Sequence, residues 1–115
     1  MTATQSPASP CLELVIYRIK NPTDAAKARR AAQDAISQYE GFLSWAAWES
    51  EDDAKVFADV AMWESLEAAK AAGERLRSDP VFGAFISALD GIISMSHYRL
   101  DRQVEAATAN LRKAG

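Results

Sequence analysis

Two aromatic-rich runs, Gly41–Ser50 (GFLSWAAWES) and Val56–Ser65 (VFADVAMWES), flank the acidic gap Glu51–Lys55 (EDDAK). This pattern reads as two antiparallel strands joined by a hairpin loop near Ser50–Lys55. The first strand alternates Phe42, Ser44, Ala46 and Trp48 against Leu43, Trp45, Ala47 and Glu49. The second alternates Val56, Ala58, Val60 and Met62 against Phe57, Asp59, Ala61 and Trp63. Neither face is polar, so the hairpin must be covered on both sides. The loop acids Glu49, Glu51, Asp52 and Asp53 invite a calcium reading. They lack the alternate-position spacing and turn glycine of a calcium loop, and read as a solvated hairpin tip.

The flanking elements follow from the same periodicities. Leu12–Lys20 (LELVIYRIK) is a strand with Leu12, Leu14, Ile16 and Arg18 on one face and Glu13, Val15, Tyr17 and Ile19 on the other. Both faces are mainly apolar, which suits a central strand. Asn21-Pro22-Thr23-Asp24 starts a helix, with Asn21 as N-cap and Pro22 in the first turn. Its apolar stripe is Ala25, Ala28, Ala32, Ile36 and Tyr39, and Gly41 is the expected stop. Lys27, Arg29 and Arg30 read as a solvated face. Ser65 caps a second helix with the stripe Leu66, Ala69, Ala72 and Leu76. Ser78-Asp79-Pro80 breaks and restarts it, with Asp79 as cap. Val81, Phe82, Phe85, Ile86 and Leu89 form its apolar face, and Gly91 is the expected end. Ile92–Leu100 is a last strand, polar enough for a sheet edge. Residues 1–10 read as a flexible extension, 11–100 as the folded domain, and 101–115 as a tail with modest helical potential.

The order β-α-β-β-α-β is the ferredoxin-like α+β arrangement: a four-stranded antiparallel sheet with helices on one face. The opposite sheet face would then expose large apolar residues in a monomer. At about 25 cal/mol per Å², burying ~800 Å² of it corresponds to roughly 20 kcal/mol before association costs. A two-fold homodimer through the open sheet face is the simplest cover.

Composition narrows the function classes. With 115 residues and a net charge of −3, the chain has no clustered positive patch for nucleic acid. One cysteine and one histidine leave no zinc ligand set, and Cys11 reads as a small apolar residue at a strand start. No metal or cofactor is expected. The N-terminal residues have no secretory pattern and no run suits a membrane span, so a cytoplasmic protein is the default.

Gly41-Phe42, the aromatic hairpin, Trp63-Glu-Ser-Leu-Glu-Ala-Ala69, then Ser78-Asp79-Pro80-Val-Phe82 and Phe85 together resemble the antibiotic biosynthesis monooxygenase-like family of dimeric α/β barrels. The resemblance spans about Leu12 to Leu100. It implies a homodimer with an apolar pocket between sheet and helices. Characterised relatives include cofactor-independent monooxygenases that form quinones from polycyclic aromatics, and haem-degrading enzymes. The haem-degrading branch uses an Asn on the first strand and a Trp and a His around the second helix; here Tyr17, Ala72 and Phe85 fall near those places. The only asparagines, Asn21 and Asn110, lie outside the strands. Haem degradation is therefore set aside, and the Asn–Trp–Arg set of the quinone-forming branch is not reconstructed.

Tyr17 is the first candidate, because its position resembles the family's pocket-facing site; the bland alternative is a core tyrosine. His97 is the one side chain with an ordinary pKa near neutrality, hence the obvious proton carrier. Arg99, on the same nominal face, either holds an anionic oxygen or faces solvent. Asp59 needs a buried partner such as Arg18 or Arg99, and a structural ion pair is the expectation. Val15, Trp45, Trp63, Phe82 and Phe85 are the expected pocket wall, around a small aromatic or polyketide-like ligand. Two readings stand: a cofactor-independent monooxygenase-like enzyme, and a non-catalytic binding or structural dimer of the same fold. An open helix–sheet pocket with a polar group in its wall favours the first.

Overall fold

The computed structural model describes residues 9–108. Its elements run β1 (Cys11–Ile19), α1 (Pro22–Ile36), β2 (Phe42–Glu49), β3 (Val56–Trp63), α2 (Leu66–Ser78), α3 (Val81–Ala88) and β4 (Leu89–Tyr98). The sheet order is β2-β3-β1-β4, with every neighbouring pair antiparallel. The ferredoxin-like expectation holds, with β1 inside the sheet and β4 at its edge.

Register sorts the side chains between two faces. Cys11 lies opposite Trp63, Glu13 opposite Ala61, Val15 opposite Asp59 and Tyr17 opposite Phe57. Directly opposed residues share a face, and this face, buried at nearly every position, packs under the helices. One core cluster joins Ala32, Ile36, Tyr39, Trp63, Ala69, Ala72 and Phe82; a second joins Tyr17, Ile19, Ala25 and Phe57. Phe85 packs against both. The other face carries Leu12 opposite Met62, Leu14 opposite Val60, and Ile16 opposite Ala58. No helix covers it: these residues are half-buried, and Trp48, opposite Ala58, is 63% exposed.

The local signals explain the helix starts. Asn21 Oδ1 accepts from the Asp24 N–H at 3.1 Å, and Ser65 Oγ from the Ala68 N–H at 3.1 Å. The Asp79 carboxylate accepts from the Val81 N–H at 3.1 Å at the restart of the helix.

Several boundaries differ from expectation. α1 ends at Ile36 rather than near Gly41, because the Ser37 hydroxyl donates to the Asp34 carbonyl and a turn carries Tyr39 into the core. Gly41 has φ +80° and lies so close to α2 that a Cβ would stand 2.5 Å from Ala68 Cβ, which makes glycine necessary there. Gly91 does not end a helix. With φ +103°, it lies in β4, next to the irregular pairing between Tyr17 and Ile92. A register shift between Phe42 and Ser44 puts Phe42 on the Trp45 face, breaking the strict alternation read for that strand. Arg29 is buried, not part of a solvated face. Leu66, Val81 and Ile86 are exposed, so α2 and α3 turn mainly Ala69, Ala72 and Phe82 inward. Residues 101–107 carry no helix, and the rest of the expected tail helix falls mostly outside the described residues, as does most of the N-terminal extension. Among the described residues, no helix is long and apolar enough to cross a membrane.

Candidate functional site

The polar residues on the helix-facing side of the sheet fall into two groups, about four residues apart along β1, or ~13 Å at strand rise.

The first group is closed. Tyr17, 1% exposed, donates its hydroxyl to Asp59 Oδ2 at 2.8 Å and accepts from Arg29 Nε at 3.3 Å. The Arg29 guanidinium stacks 4.0 Å from the centre of the Phe57 ring. The Tyr17 ring stacks on Phe57 at 6.0 Å and meets Phe85 edge-on at 5.6 Å. Asp59 is 5% exposed, and its Oδ1 has no hydrogen-bond partner. Burial pushes its carboxyl pKa up; the Tyr17 hydroxyl and the Arg29 charge oppose that shift. Burial and the Asp59 charge together push the Tyr17 phenol far above its ordinary range. Trp45 Nε1 is likewise buried without a well-formed partner. The expected partners of Asp59 were Arg18 and Arg99. Instead Arg18 pairs with Asp53 at the hairpin tip at 2.9 Å, Arg99 is exposed, and Arg29 takes the role through Tyr17. Arg29 stands on the stripe defined by Ala25, Ala32 and Ile36, and that placement is the signal by which the sequence marks it as buried.

The second group is open to solvent. Glu13 on β1 lies directly across from His97 on β4. Glu13 Oε1 accepts the Trp63 indole N–H at 3.0 Å, and Oε2 stands 3.5 Å from His97 Nε2. His97 lines two clefts, each about 320 Å³. One, between α2 and the sheet, is bounded by Glu13, Ala69, Lys70, Gly73, Arg77 and Met95. The small α2 residues Ala69 and Gly73 leave it open, and a Cβ on Gly73 would meet nothing within 4 Å. The other, at the start of α2, includes Cys11, Ser65, Glu67 and Arg99.

The candidate residues are thus divided. His97 and Arg99 share a cleft; Tyr17, Val15 and Phe85 belong to the closed group; Trp63 and Phe82 are fully buried, and Trp45 half-buried, in the core. Glu13, not singled out from the sequence, links Trp63 to His97. Its signal is an acid in the middle of an apolar strand. Among the described residues no cluster of three or more His, Cys, Asp or Glu is placed to hold a metal ion.

This architecture defines a ferredoxin-like α+β protein with a polar-walled cleft between helix and sheet. Neither protein-family models nor curated protein sequences match the chain. Solved structures do. SnoaB, a cofactor-independent oxygenase from Streptomyces nogalater, superposes in a variant form with a TM-score of 0.74 at 11% identity, covering 86% of this chain and all of that one. ActVA-Orf6, a monooxygenase from Streptomyces coelicolor solved with nanaomycin D, gives a TM-score of 0.68 at 23% identity, covering 89% and 96%. A conserved protein of Methanosarcina mazei gives 0.61 at 13% identity, covering 81% and 94%. The fold is that of the antibiotic biosynthesis monooxygenase-like proteins, as the residue resemblance implied.

Proposed function

We propose that the chain is a cofactor-independent monooxygenase-type enzyme acting on a small aromatic or polyketide-like substrate. The observation that carries this reading is the cleft between α2 and the sheet, with the His97–Glu13 pair in its wall. Its volume lies at the lower end of small-molecule sites, and shared fold with SnoaB and ActVA-Orf6 supports the reaction class.

In this reading a hydroxylated polycyclic substrate enters over Ala69 and Gly73. His97 accepts the phenolic proton, and Lys70 and Arg77 draw the resulting anion into the cleft. The delocalised carbanion supplies the electrons to dioxygen. One oxygen atom becomes the new quinone carbonyl and the other leaves as water, so a hydroxyarene and O₂ yield a quinone and H₂O. Arg99, on the rim of the neighbouring cleft, is the second candidate hydrogen-bond donor to that anion.

The protein works as a homodimer, its partner covering Leu12, Leu14, Ile16, Val60 and Met62. A cytoplasmic location accords with the free thiol of Cys11. The second reading, a non-catalytic binding or structural dimer, draws on the closure of Tyr17, Trp63 and Phe82 within the core.

Oxygen uptake with a panel of hydroxylated polycyclic substrates tests the enzyme. Wild type should consume oxygen above background, and His97→Ala and the cleft-filling Gly73→Leu should both abolish the excess. No uptake with any substrate, or full uptake by both variants, refutes the proposal.

A further inference from the structure

Resting on that reading of the cleft, we infer that Glu13 is the positioning residue of His97: it holds the imidazole as the Nε2–H tautomer, leaving Nδ1 as the base that meets substrate. Glu13 stands on the central strand and its two oxygens have different neighbours. Oε1 takes the Trp63 indole N–H, which anchors the carboxylate to the largest fully buried side chain of the core. Oε2 faces His97 Nε2 across the β1–β4 pair at 3.5 Å. That nitrogen is shielded from solvent and makes no hydrogen bond; the Glu13 carboxylate, at the 3.5 Å of an ion-pair contact, is the group that faces it. An ionised carboxylate only accepts hydrogen bonds, so the nitrogen facing it must carry the proton. A buried imidazole nitrogen turned to Glu13 cannot reach a ligand, which leaves the opposite nitrogen for proton transfer. The other charged and titratable groups around His97 are Lys70, Glu74 and Arg77 across the α2 cleft, and Cys11, Glu67, Tyr98 and Arg99 around the neighbouring one. None of them hydrogen-bonds Nε2, and Glu13 Oε2 at 3.5 Å is the charged oxygen placed against it.

Glu13→Gln distinguishes positioning from mere support of the core. The substituted amide has one acceptor and one donor end. Its oxygen keeps the Trp63 N–H, and its NH₂ then faces His97 Nε2, which must become an acceptor. The proton moves to Nδ1, and the base is lost with the fold intact.

His97 is the only histidine, so long-range ¹H–¹⁵N correlation spectra of the untagged, ¹⁵N-labelled protein at pH 8.5 assign themselves. Wild type should show the Nε2–H tautomer and Glu13→Gln the Nδ1–H tautomer, with near-UV circular dichroism confirming native packing. An Nδ1–H tautomer or an even mixture in wild type overturns the inference without any variant. So does an unchanged tautomer in folded Glu13→Gln. On a substrate found in the oxygen-uptake panel, kcat of Glu13→Gln should fall by about 10²–10⁴, the usual contribution of a general base, with KM little changed. A switched tautomer with unchanged kcat upholds the positioning role and removes His97 from the proposed chemistry.

Discussion

Tyr17→Phe is the sharpest probe of the closed polar group. The substitution keeps the ring, and with it the contacts to Phe57 and Phe85, but removes the hydroxyl that donates to Asp59 and accepts from Arg29. A hydrogen bond to a charged group contributes about 1.5–3 kcal/mol, and a buried acceptor left unmade costs a comparable amount. Because Asp59 Oδ1 already lacks a well-formed partner, the variant strips the carboxylate of the well-formed hydrogen bond from Tyr17. The expected loss at pH 8 is therefore about 2–4 kcal/mol. The folded Asp59 carboxyl has a raised pKa, so the folded state binds its proton more tightly than the unfolded chain does. Stability then falls as pH rises from the unfolded carboxylate range through the folded pKa, and removing Tyr17's donor steepens that fall. At acid pH, as Asp59 takes up its proton, the loss should shrink toward about 1 kcal/mol, the value of a neutral hydrogen bond. Urea unfolding at pH 8 and at acid pH, at one protomer concentration, measures the difference. In an Asp59→Asn background the pH dependence of the Tyr17→Phe effect should vanish. A loss below about 0.5 kcal/mol at pH 8, or an equal loss at both pH values, would refute the reasoning.

Gly41→Ala should cost at least ~2 kcal/mol in urea unfolding, since the added Cβ meets Ala68 at 2.5 Å and φ is +80°. The double variant with Ala68→Gly should recover the steric share and leave the backbone strain. Gly73→Ala should instead stabilise by about 0.5–1 kcal/mol, because the position is helical and a Cβ there meets nothing within 4 Å. Leu14→Asp, in the middle of the uncovered sheet face, should give a monomer by light scattering at micromolar concentration; a wild-type monomer would sink the dimer proposal.

The strands were legible in the sequence because two apolar faces leave few alternatives for a short alternating run. The caps at Asn21 and Ser65 were legible because capping is chemistry local to a few residues. What escaped depended on tertiary distance. Gly91 carries the same local sign as a helix stop, yet its left-handed backbone serves a strand irregularity beside Tyr17. Arg29 looks like one member of a basic surface run, and only the closeness of Tyr17 and Phe57 makes its burial tolerable. Among the candidate residues, Tyr17 and His97 lie on the same sheet face but separate along β1, a spacing that individual residue types do not encode. Glu13 was visible as an acid on an apolar strand, but its two partners come from β3 and β4.

The three tryptophans occupy three different settings: Trp48 on the uncovered face, Trp45 beside the Asp59 carboxylate, and Trp63 bonded to Glu13 behind the cleft. The protein thus carries its own spectroscopic reporters. Self-association should shift the emission of Trp48 to the blue on dilution series run in reverse, while a ligand entering between α2 and the sheet should perturb Trp63 through the carboxylate that both share. Single-tryptophan variants would separate assembly from occupancy in one cuvette, before any substrate is known.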